Sequence, residues 1–255
     1  MKILAVGDVV GRPGTDMLAA RLPALKKELG VDFCIVNAEN ADESGTGVTT
    51  HIAQELFAYG ANVITTGNHA LRRAHTELFE QTPALLCPAN AYYTAPASGV
   101  HVYDMGRRQI AVVNLVGTAF LGPAANPFTT LDEILKTLPT KLVVVDFHAE
   151  STAEKKALAY HAASRVSVLF GTHTHVQTSD ATILDGHTGY ITDLGMTGPL
   201  HSVLGVETAL AIEKQKTQGS VRFKVAQGPC SLEGALFDID EDTARCTKVQ
   251  TFRYV

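Results

Sequence analysis

The sequence lacks the cysteine patterns that mark disulfide-rich domains and small zinc-binding domains. Its four cysteines, Cys34, Cys87, Cys230 and Cys246, are far apart and form no CxxC pair. Cys34 and Cys87 lie in or beside apolar runs, so we interpret them as buried free thiols. The chain has 255 residues, of which 45% are hydrophobic, and it can bury a large core without a disulfide bond or a structural metal ion.

Long apolar segments and an excess of basic residues are also missing. No run approaches the length of a membrane span. Residues 1–10, MKILAVGDVV, form a strand-like run without the apolar segment or cleavage site of a signal peptide. We therefore expect a cytoplasmic protein with no membrane partner. The formal net charge of −5 argues against non-specific binding of long nucleic acids, although a small phosphate-bearing ligand remains compatible with it.

Short apolar runs alternate with amphipathic stretches along most of the chain. The runs KILAV, DFCIV, NVITT, KLVVV and VSVLF are separated by helical patterns, and this alternation predicts parallel strands covered by helices. The first helical pattern has Thr15 as its candidate N-cap and ends at Gly30. Residues 99–117 and 181–195 predict hairpins that turn near Gly106 and Asp185-Gly186, and residues 230–255 predict two antiparallel strands.

The predicted fold class is therefore α/β. We expect a mixed β-sheet sandwich flanked by α-helices, in a single domain that spans residues 1–255. The sequence contains no repeat, low-complexity segment or linker that would divide it.

Side chains of the types that can bind metal ions follow each of the five apolar runs. In chain order they are Asp8, Glu39 and Asn40, Asn68 and His69, His148 and Glu150, and His173 and His175. Ligands of open α/β sheets bind outside the carboxyl ends of the strands, so we expect these side chains at one edge. Each has an ordinary explanation when taken alone, such as a turn residue, a helix cap or a hydrogen-bonded core histidine. A shared site is the better explanation, because the ordinary ones would have to apply separately at every strand end.

The chemistry of these side chains indicates the kind of ion. Carboxylate, amide and imidazole ligands together suit Mn, Fe or Zn. There are more candidates than one tetrahedral ion can use, so we infer two ions that share a bridging carboxylate. Such a site activates a water molecule and holds the attacking and leaving oxygens of a phosphoryl displacement.

The ordered motifs GDVVG, NAEN, GNH, DFHAE and GTHTHVQT resemble those of the calcineurin-like metallophosphoesterases. Residues 192–199, TDLGMTGP, and 202–207, SVLGVE, narrow the resemblance to the bacterial subfamily of YmdB-type phosphodiesterases. The resemblance covers nearly the whole chain. It implies a metallophosphoesterase-like fold with a dimetal site at the carboxyl ends of the strands. It also implies hydrolysis of 2′,3′- or 3′,5′-cyclic nucleotides by a metal-bridging hydroxide.

The resemblance implies roles for the residues around the first ion. Asp8 and His175 would hold this ion, and Asn40 would complete its set of ligands. Glu39 would bridge the two ions, where most of the superfamily uses Asp. The superfamily's first motif is D-x-H, whereas Asp8 is followed by two valines. The subfamily shares this departure, which makes Asn40 the substitute ligand.

The second ion would be held by Asn68, His148 and His173, according to the same resemblance. His69 would face the substrate and protonate the leaving alkoxide as the general acid. The implied cofactors are two divalent or trivalent ions per chain, foremost Fe or Mn, with Zn or Mg also compatible. After His69 the subfamily continues with an aromatic residue and an acid, whereas this chain has ALRRAH. The loop that faces the substrate is therefore expected to differ.

Three functions remain open from the sequence. The favoured one is a phosphodiesterase with a small phosphodiester as its partner, and a homo-oligomer is compatible with it. The second is a phosphomonoesterase, nucleotidase or nuclease on the same scaffold, and the third is a regulatory protein with weak turnover. The complete ligand set argues against the third. Arg12, Arg72 and Arg73 are candidate phosphate contacts, with a solvated surface as the more common explanation, and Asp193 is a candidate support for the site.

Overall fold

Two β-sheets pack against each other, and helices cover their outer faces. The computed structural model describes residues 1–74, 76–92 and 99–255. The first sheet contains β1 (Lys2–Val6), β2 (Asp8–Val9), β3 (Phe33–Asn37), β4 (Val63–Thr65), β11 (Met196–Pro199), β12 (Cys230–Asp240) and β13 (Arg245–Tyr254). The second contains β5 (Val100–Asp104), β6 (Gln109–Val116), β7 (Val143–His148), β8 (Val168–Thr172), β9 (Thr182–Leu184) and β10 (Thr188–Ile191). The helices are α1 (Gly11–Leu29), α2 (Thr50–Ala58), α3 (Thr76–Gln81), α4 (Pro127–Thr137), α5 (Thr152–Ala162) and α6 (Thr208–Thr217).

Both sheets are mixed, as the sequence predicts. The first has the order β2-β11-β12-β1-β3-β4, with β13 paired to β12, and β1, β3 and β4 are parallel. The second has the order β5-β6-β7-β8-β10-β9, with parallel pairing from β6 to β10 and an antiparallel hairpin at each edge. The predicted turns near Gly106 and Asp185-Gly186 and the antiparallel tail are confirmed.

Large apolar side chains fill the space between the sheets. The stacked rings of Phe170 and Phe237 lie 6.4 Å apart across this layer, in contact with further side chains from both sheets. Two more apolar clusters lie under α1 and α2 and under α4 and α5. Burial on both faces explains why the parallel strands have nearly continuous apolar sequences. No helix in the described ranges is both long enough and apolar enough to span a bilayer.

The structure corrects the start of α1. The predicted N-cap, Thr15, lies inside the helix, where its hydroxyl donates to the carbonyl of Arg12 at 2.9 Å. The helix instead begins at Gly11, which has a φ of 60°, and a Cβ at Gly14 would collide with the carbonyl oxygen of Thr197. The segment GRPG resembles a loop in sequence but is helical because α1 must start close to β11. The predicted end at Gly30 is confirmed, with a φ of 64°.

Polar side chains join the two sheets where their parallel strands end. Asn37, at the end of β3, donates to Asp146 of β7 at 2.9 Å. Thr65 of β4 and Thr172 of β8 donate to the same carboxylate. Burial raises the pKa of Asp146 to about 7. The five strand ends predicted to share one edge therefore belong to two sheets, which meet around this carboxylate.

Candidate metal centre

The seven predicted metal ligands converge where the two sheets meet. His148, the last residue of β7, is fully buried and stands at the centre of one half of the site. Its Nε2 lies 3.0 Å from Nδ1 of His173, 3.2 Å from Oδ1 of Asn68 and 3.8 Å from Oε1 of Glu39. Residues far apart in the chain therefore point their nitrogen and oxygen atoms at one position. This half corresponds to the predicted second ion.

A hydrogen-bond relay determines which nitrogen of His148 carries the proton. The hydroxyl of Thr172 donates to Oδ1 of Asp146 at 2.8 Å. Its oxygen lies 2.9 Å from Nδ1 of His148 and is left to accept a hydrogen bond there. The pattern therefore places the proton on Nδ1, so that Nε2 presents a lone pair to the site.

The other half of the site is built around Asp8 and His175. Oδ2 of Asp8 accepts the backbone N–H of His173 at 3.0 Å. Oδ1 of Asp8 is buried, has no hydrogen-bond partner in the described part of the chain and lies 3.8 Å from Nε2 of His175. Nδ1 of His175 lies 3.0 Å from the carbonyl oxygen of Leu204, and Nε2 of the same ring lies 3.2 Å from Oδ1 of Asn40. These contacts join the residues predicted for the first ion.

The carboxylate of Glu39 is fixed by the backbone of the loop after β4. The N–H of Gly67 donates to Oε2, and the N–H of His69 donates to Oε1. A Cβ at Gly67 would overlap the ring of His148, so only glycine allows this close approach. The carboxylate contacts the His148 half of the site, and the adjacent residue, Asn40, contacts the other half. The bridging role of Glu39 stays a prediction.

His69 lies at the edge of the site and is partly exposed. Its Nδ1 is 3.3 Å from Oε1 of Glu39, and its ring lines a cavity of about 430 Å³ together with His173, His175 and Glu150. Burial and the charge of Arg72 lower the pKa of His69 to about 4, which favours the neutral ring. A bound phosphate beside the ring would raise this pKa, because an anion favours the charged imidazole.

Burial controls the charge of the whole site. It raises the pKa of Asp8 to about 8, with Asp193 adding to the rise, and holds the pKa of Glu39 well above its usual range. It also lowers the pKa of His148 well below the ordinary value and lowers that of His175. Neutral imidazole is the form that binds metals, and a cation would restore the ionised carboxylates.

The side chains are of the types that bind metal ions, but they are not arranged as a complete coordination shell. Within residues 1–74, 76–92 and 99–255, no three His, Cys, Asp or Glu side chains are already arranged to hold an ion. The side chains contact each other instead, and two imidazole nitrogens of His148 and His173 lie 3.0 Å apart. Oδ1 of Asp8, which is buried and has no hydrogen-bond partner among the described residues, is an open ligand position. Nitrogen and oxygen donors of this kind suit hard or borderline divalent ions.

The structure places the other candidate residues from the sequence in different surroundings. Arg12 is about half exposed and pairs with Glu55 at 3.1 Å, in agreement with the solvated-surface explanation. Glu150 contacts Nε2 of His173 at 2.9 Å. Asp193 accepts the backbone N–H of Thr174 at 3.0 Å, which places it directly behind the H-x-H segment.

Two supporting groups were not predicted from the sequence. They are Asp146, which orients His148 through Thr172, and Lys155, which pairs with Asp193 at 2.7 Å. The motif DFHAE contains Asp146 and so offered a signal. Lys155 lies in an ordinary charged helical segment and offered none.

Comparison with known proteins identifies the family. Residues 4–252 match the model of the family described as YmdB-like protein. The chain is 41% identical over 253 residues to the 2′,3′-cyclic-nucleotide 2′-phosphodiesterase of Bacillus subtilis, covering 98% of this chain and 96% of that protein. A crystal structure described as a novel phosphatase from Mycoplasma pneumoniae has 32% identity and a TM-score of 0.94, covering 100% of this chain and 93% of that one.

A more distant solved structure shares the fold alone. The NAD nucleotidase of Haemophilus influenzae has 12% identity and a TM-score of 0.59, covering 100% of this chain and 56% of that one. The metallophosphoesterase-like fold predicted from the motifs is thus confirmed. The chain belongs to the YmdB-like protein family.

Proposed function

We propose that this chain is a dinuclear metal-dependent phosphodiesterase that hydrolyses small cyclic nucleotides. The observation that carries the proposal is the convergence of buried carboxylate, amide and imidazole groups around Nε2 of His148, beside an Oδ1 of Asp8 that has no hydrogen-bond partner among the described residues. The activity named for the Bacillus subtilis relative supports the substrate class, and the 2′,3′-cyclic form is favoured over the 3′,5′-cyclic form on that basis.

The predicted ligands would hold two ions. Asp8, His175 and Asn40 would hold one, and Asn68, His148 and His173 would hold the other. Glu39 would serve both. When bound, the ions supply Lewis acidity that activates a water molecule and neutralises charge on the phosphoryl oxygens. The chain's own contribution is to fix the ligand atoms. Asp146 and Thr172 orient the ring of His148. Backbone N–H groups hold the carboxylate of Glu39.

His69 supplies the proton in this mechanism. Its backbone is fixed by Glu39, and its ring lines the cavity that would receive the substrate. A phosphate in that cavity makes the imidazole more basic, so that it can carry the proton and then give it to the leaving oxygen. The role requires proximity to substrate and no bond to metal, which is why we separate His69 from the ligand set.

The shape of the cavity supports a small substrate. Its volume of about 430 Å³ lies within the range of small-molecule sites, roughly 300–1,000 Å³. Five apolar residues line the cavity together with the histidines: Val203, Leu204, Val206, Ala211 and Phe223. A lining that combines apolar side chains with imidazole and carboxylate groups suits a nucleoside that carries a phosphate.

A paired analysis of metal content and turnover tests the proposal. Protein purified without added metal is subjected to elemental analysis and assayed with cyclic nucleotides, nucleoside monophosphates and single-stranded RNA at two salt concentrations. We expect bound metal and faster hydrolysis of cyclic nucleotides than of monophosphates, with little effect of moderate salt. Fast, salt-sensitive cleavage of RNA without turnover of cyclic nucleotides would contradict the proposal.

A carboxylate far from the site provides the matched control. Asp8→Asn should remove metal and activity, whereas Asp185→Asn should change neither. Asp185 lies in the exposed β9–β10 turn with a φ of 50°, a conformation that asparagine tolerates. Equal metal content in both variants would remove Asp8 from the ligand set.

A further inference from the structure

A second cavity lies beside the candidate metal centre and is basic. It has a volume of about 770 Å³, and four cationic side chains line it: Arg72, Arg73, Arg222 and Lys224. Two acidic side chains, Glu43 and Glu207, also line it. The cavity therefore has an excess of positive charge on a chain whose formal net charge is −5.

Three of the four cations are available to a ligand. Arg73 pairs with Asp42, its Nε lying 3.3 Å from Oδ1. Arg72, Arg222 and Lys224 are exposed, and their side chains make no ion pair or hydrogen bond with any residue in the described ranges. Such a concentration of free cations in a concave surface attracts an anion.

The basic cavity adjoins the proposed substrate cavity. Phe223 lines both, and 47% of its surface is exposed. Arg72 follows His69 by one turn of chain, and its backbone N–H donates to the carbonyl of His69 at 2.8 Å. A ligand that occupies the substrate cavity can therefore extend over the ring of Phe223 towards the cations.

We propose that the basic cavity binds a second phosphate of the substrate, the one attached to the 5′ oxygen of the nucleoside. The inference rests on the proposed function. In a 2′,3′-cyclic nucleotide the 2′ and 3′ oxygens are both esterified to the reacting phosphorus. The 5′ oxygen is then the remaining ribose position that can carry another phosphate.

The inference narrows the substrate class to 2′,3′-cyclic nucleotides that carry a phosphate on the 5′ oxygen. A nucleoside 2′,3′-cyclic phosphate with a 5′-phosphate and a short oligoribonucleotide with a 2′,3′-cyclic end present the same chemistry. Arg72, Arg222 and Lys224 supply donors for one phosphate, because guanidinium and ammonium groups bind phosphate oxygens strongly. Glu43 and Glu207 in the same cavity oppose a longer polyanion. The cavity therefore suits a substrate with one added phosphate rather than a long RNA.

Three synthetic substrates test the inference. They are adenosine 2′,3′-cyclic phosphate, the same compound with a 5′-phosphate, and the dinucleotide ApA with a 2′,3′-cyclic phosphate end. We expect kcat/KM to be at least about tenfold higher for one or both of the extended substrates, the scale of one charge-assisted hydrogen bond. If kcat/KM rises only for the compound with a 5′-phosphate, the cavity binds a phosphate monoester. If it rises more for the dinucleotide, the cavity binds the phosphodiester of an oligonucleotide end. Either result supports the inference.

Substitutions in the basic cavity test whether it causes the higher kcat/KM of the extended substrates. Arg222→Ala and Lys224→Ala should each reduce the ratio of kcat/KM between extended and unextended substrates. Arg107→Ala, an exposed arginine in the β5–β6 turn, should leave that ratio unchanged. Equal kcat/KM for all three substrates, or a gain that persists in both cavity variants, overturns this inference while leaving the proposed function intact. Hydrolysis of none of the three overturns the proposed function and this inference together.

Discussion

Nζ of Lys155 lies 2.7 Å from Oδ2 of Asp193, and neither side chain is exposed to solvent. The same carboxylate accepts the N–H of Thr174 at Oδ2 and the N–H of Gly195 at Oδ1. Thr174 stands between His173 and His175, whose φ angles of 100° and 60° are unusual for non-glycine residues. The buried ion pair therefore fixes the backbone that presents both imidazoles, and its integrity should affect stability and metal binding together.

Lys155→Met should destabilise the protein by about 3–5 kcal/mol, because it leaves the carboxylate of Asp193 buried without its partner. Chemical denaturation measures the free energy of unfolding, and elemental analysis should show reduced metal retention. Lys156→Met is the matched control, because Lys156 is half exposed and its pair with Asp180 at 3.4 Å is worth at most about 1 kcal/mol. Asp193→Asn added to Lys155→Met should recover part of the loss, and a strictly additive double variant would argue against the pair.

The second prediction concerns the distribution of metal ligands. Glu39→Ala should reduce binding at both ion positions, because a bridging carboxylate serves both ions. His175→Ala should mainly weaken one, since His175 contacts the Asp8 half of the site. Elemental analysis gives metal equivalents per chain, and circular dichroism checks that the variants fold. Two full equivalents of metal in Glu39→Ala would show that the bridging assignment is wrong.

The third prediction separates the relay behind His148 from ordinary core packing. Thr172→Val removes the oxygen that accepts from Nδ1 of His148 while keeping the shape of the side chain. Metal affinity should fall by about 10- to 100-fold, the usual effect of losing the group that orients a ligating histidine. Thr188→Val also removes a buried hydroxyl, but from the opposite end of the second sheet, where it donates to the carbonyl of Val166. If the two variants lost metal affinity equally, the relay would not explain the effect.

Much of the site could be predicted because its ligands follow apolar strands in the sequence. The strand ends containing Asp8, Glu39, Asn68, His148 and His173 were visible as polar residues after apolar runs. Their division between two sheets was not visible, because both sheets contribute parallel strands with the same pattern.

The buried role of Lys155 was hidden for a different reason. It stands between Glu154 and Lys156 in a helix whose sequence suggests a solvated face. The aliphatic part of the Lys155 side chain packs against Gly171, which has no side chain of its own. A Cβ at position 171 would lie 2.8 Å from Cδ of Lys155. The start of α1 was mispredicted for a related reason, since glycines that permit close packing look like loop residues. Sequence patterns show polarity along one segment, whereas these contacts depend on a second segment brought near by the fold.

The fourth prediction tests the general acid. His69→Ala should fold normally and keep its metal, and its rate should fall by about 10²–10⁴ on substrates with poor leaving groups, such as cyclic nucleotides. The loss should be much smaller for a nitrophenyl phosphodiester, because nitrophenolate leaves without protonation. Steady-state kinetics on both substrates, with metal content measured in parallel, gives the comparison. Equal losses on the two substrates would remove the general-acid role.

The last prediction concerns Phe223, which lines both cavities and is partly exposed. An aromatic ring at this position can stack on the nucleobase of a substrate whose phosphate lies at the histidines. Stacking of a base on an aromatic side chain contributes about 1–3 kcal/mol, so Phe223→Ala should raise KM for adenosine 2′,3′-cyclic phosphate by about 5- to 150-fold. Ethylene phosphate, a cyclic phosphodiester without a base, should be hydrolysed equally well by the variant and the parent protein. Tyr160→Ala, which removes an exposed aromatic ring from α5, is the control and should change neither KM. A parallel rise in KM for both substrates would show that Phe223 shapes the phosphate site instead of binding the base.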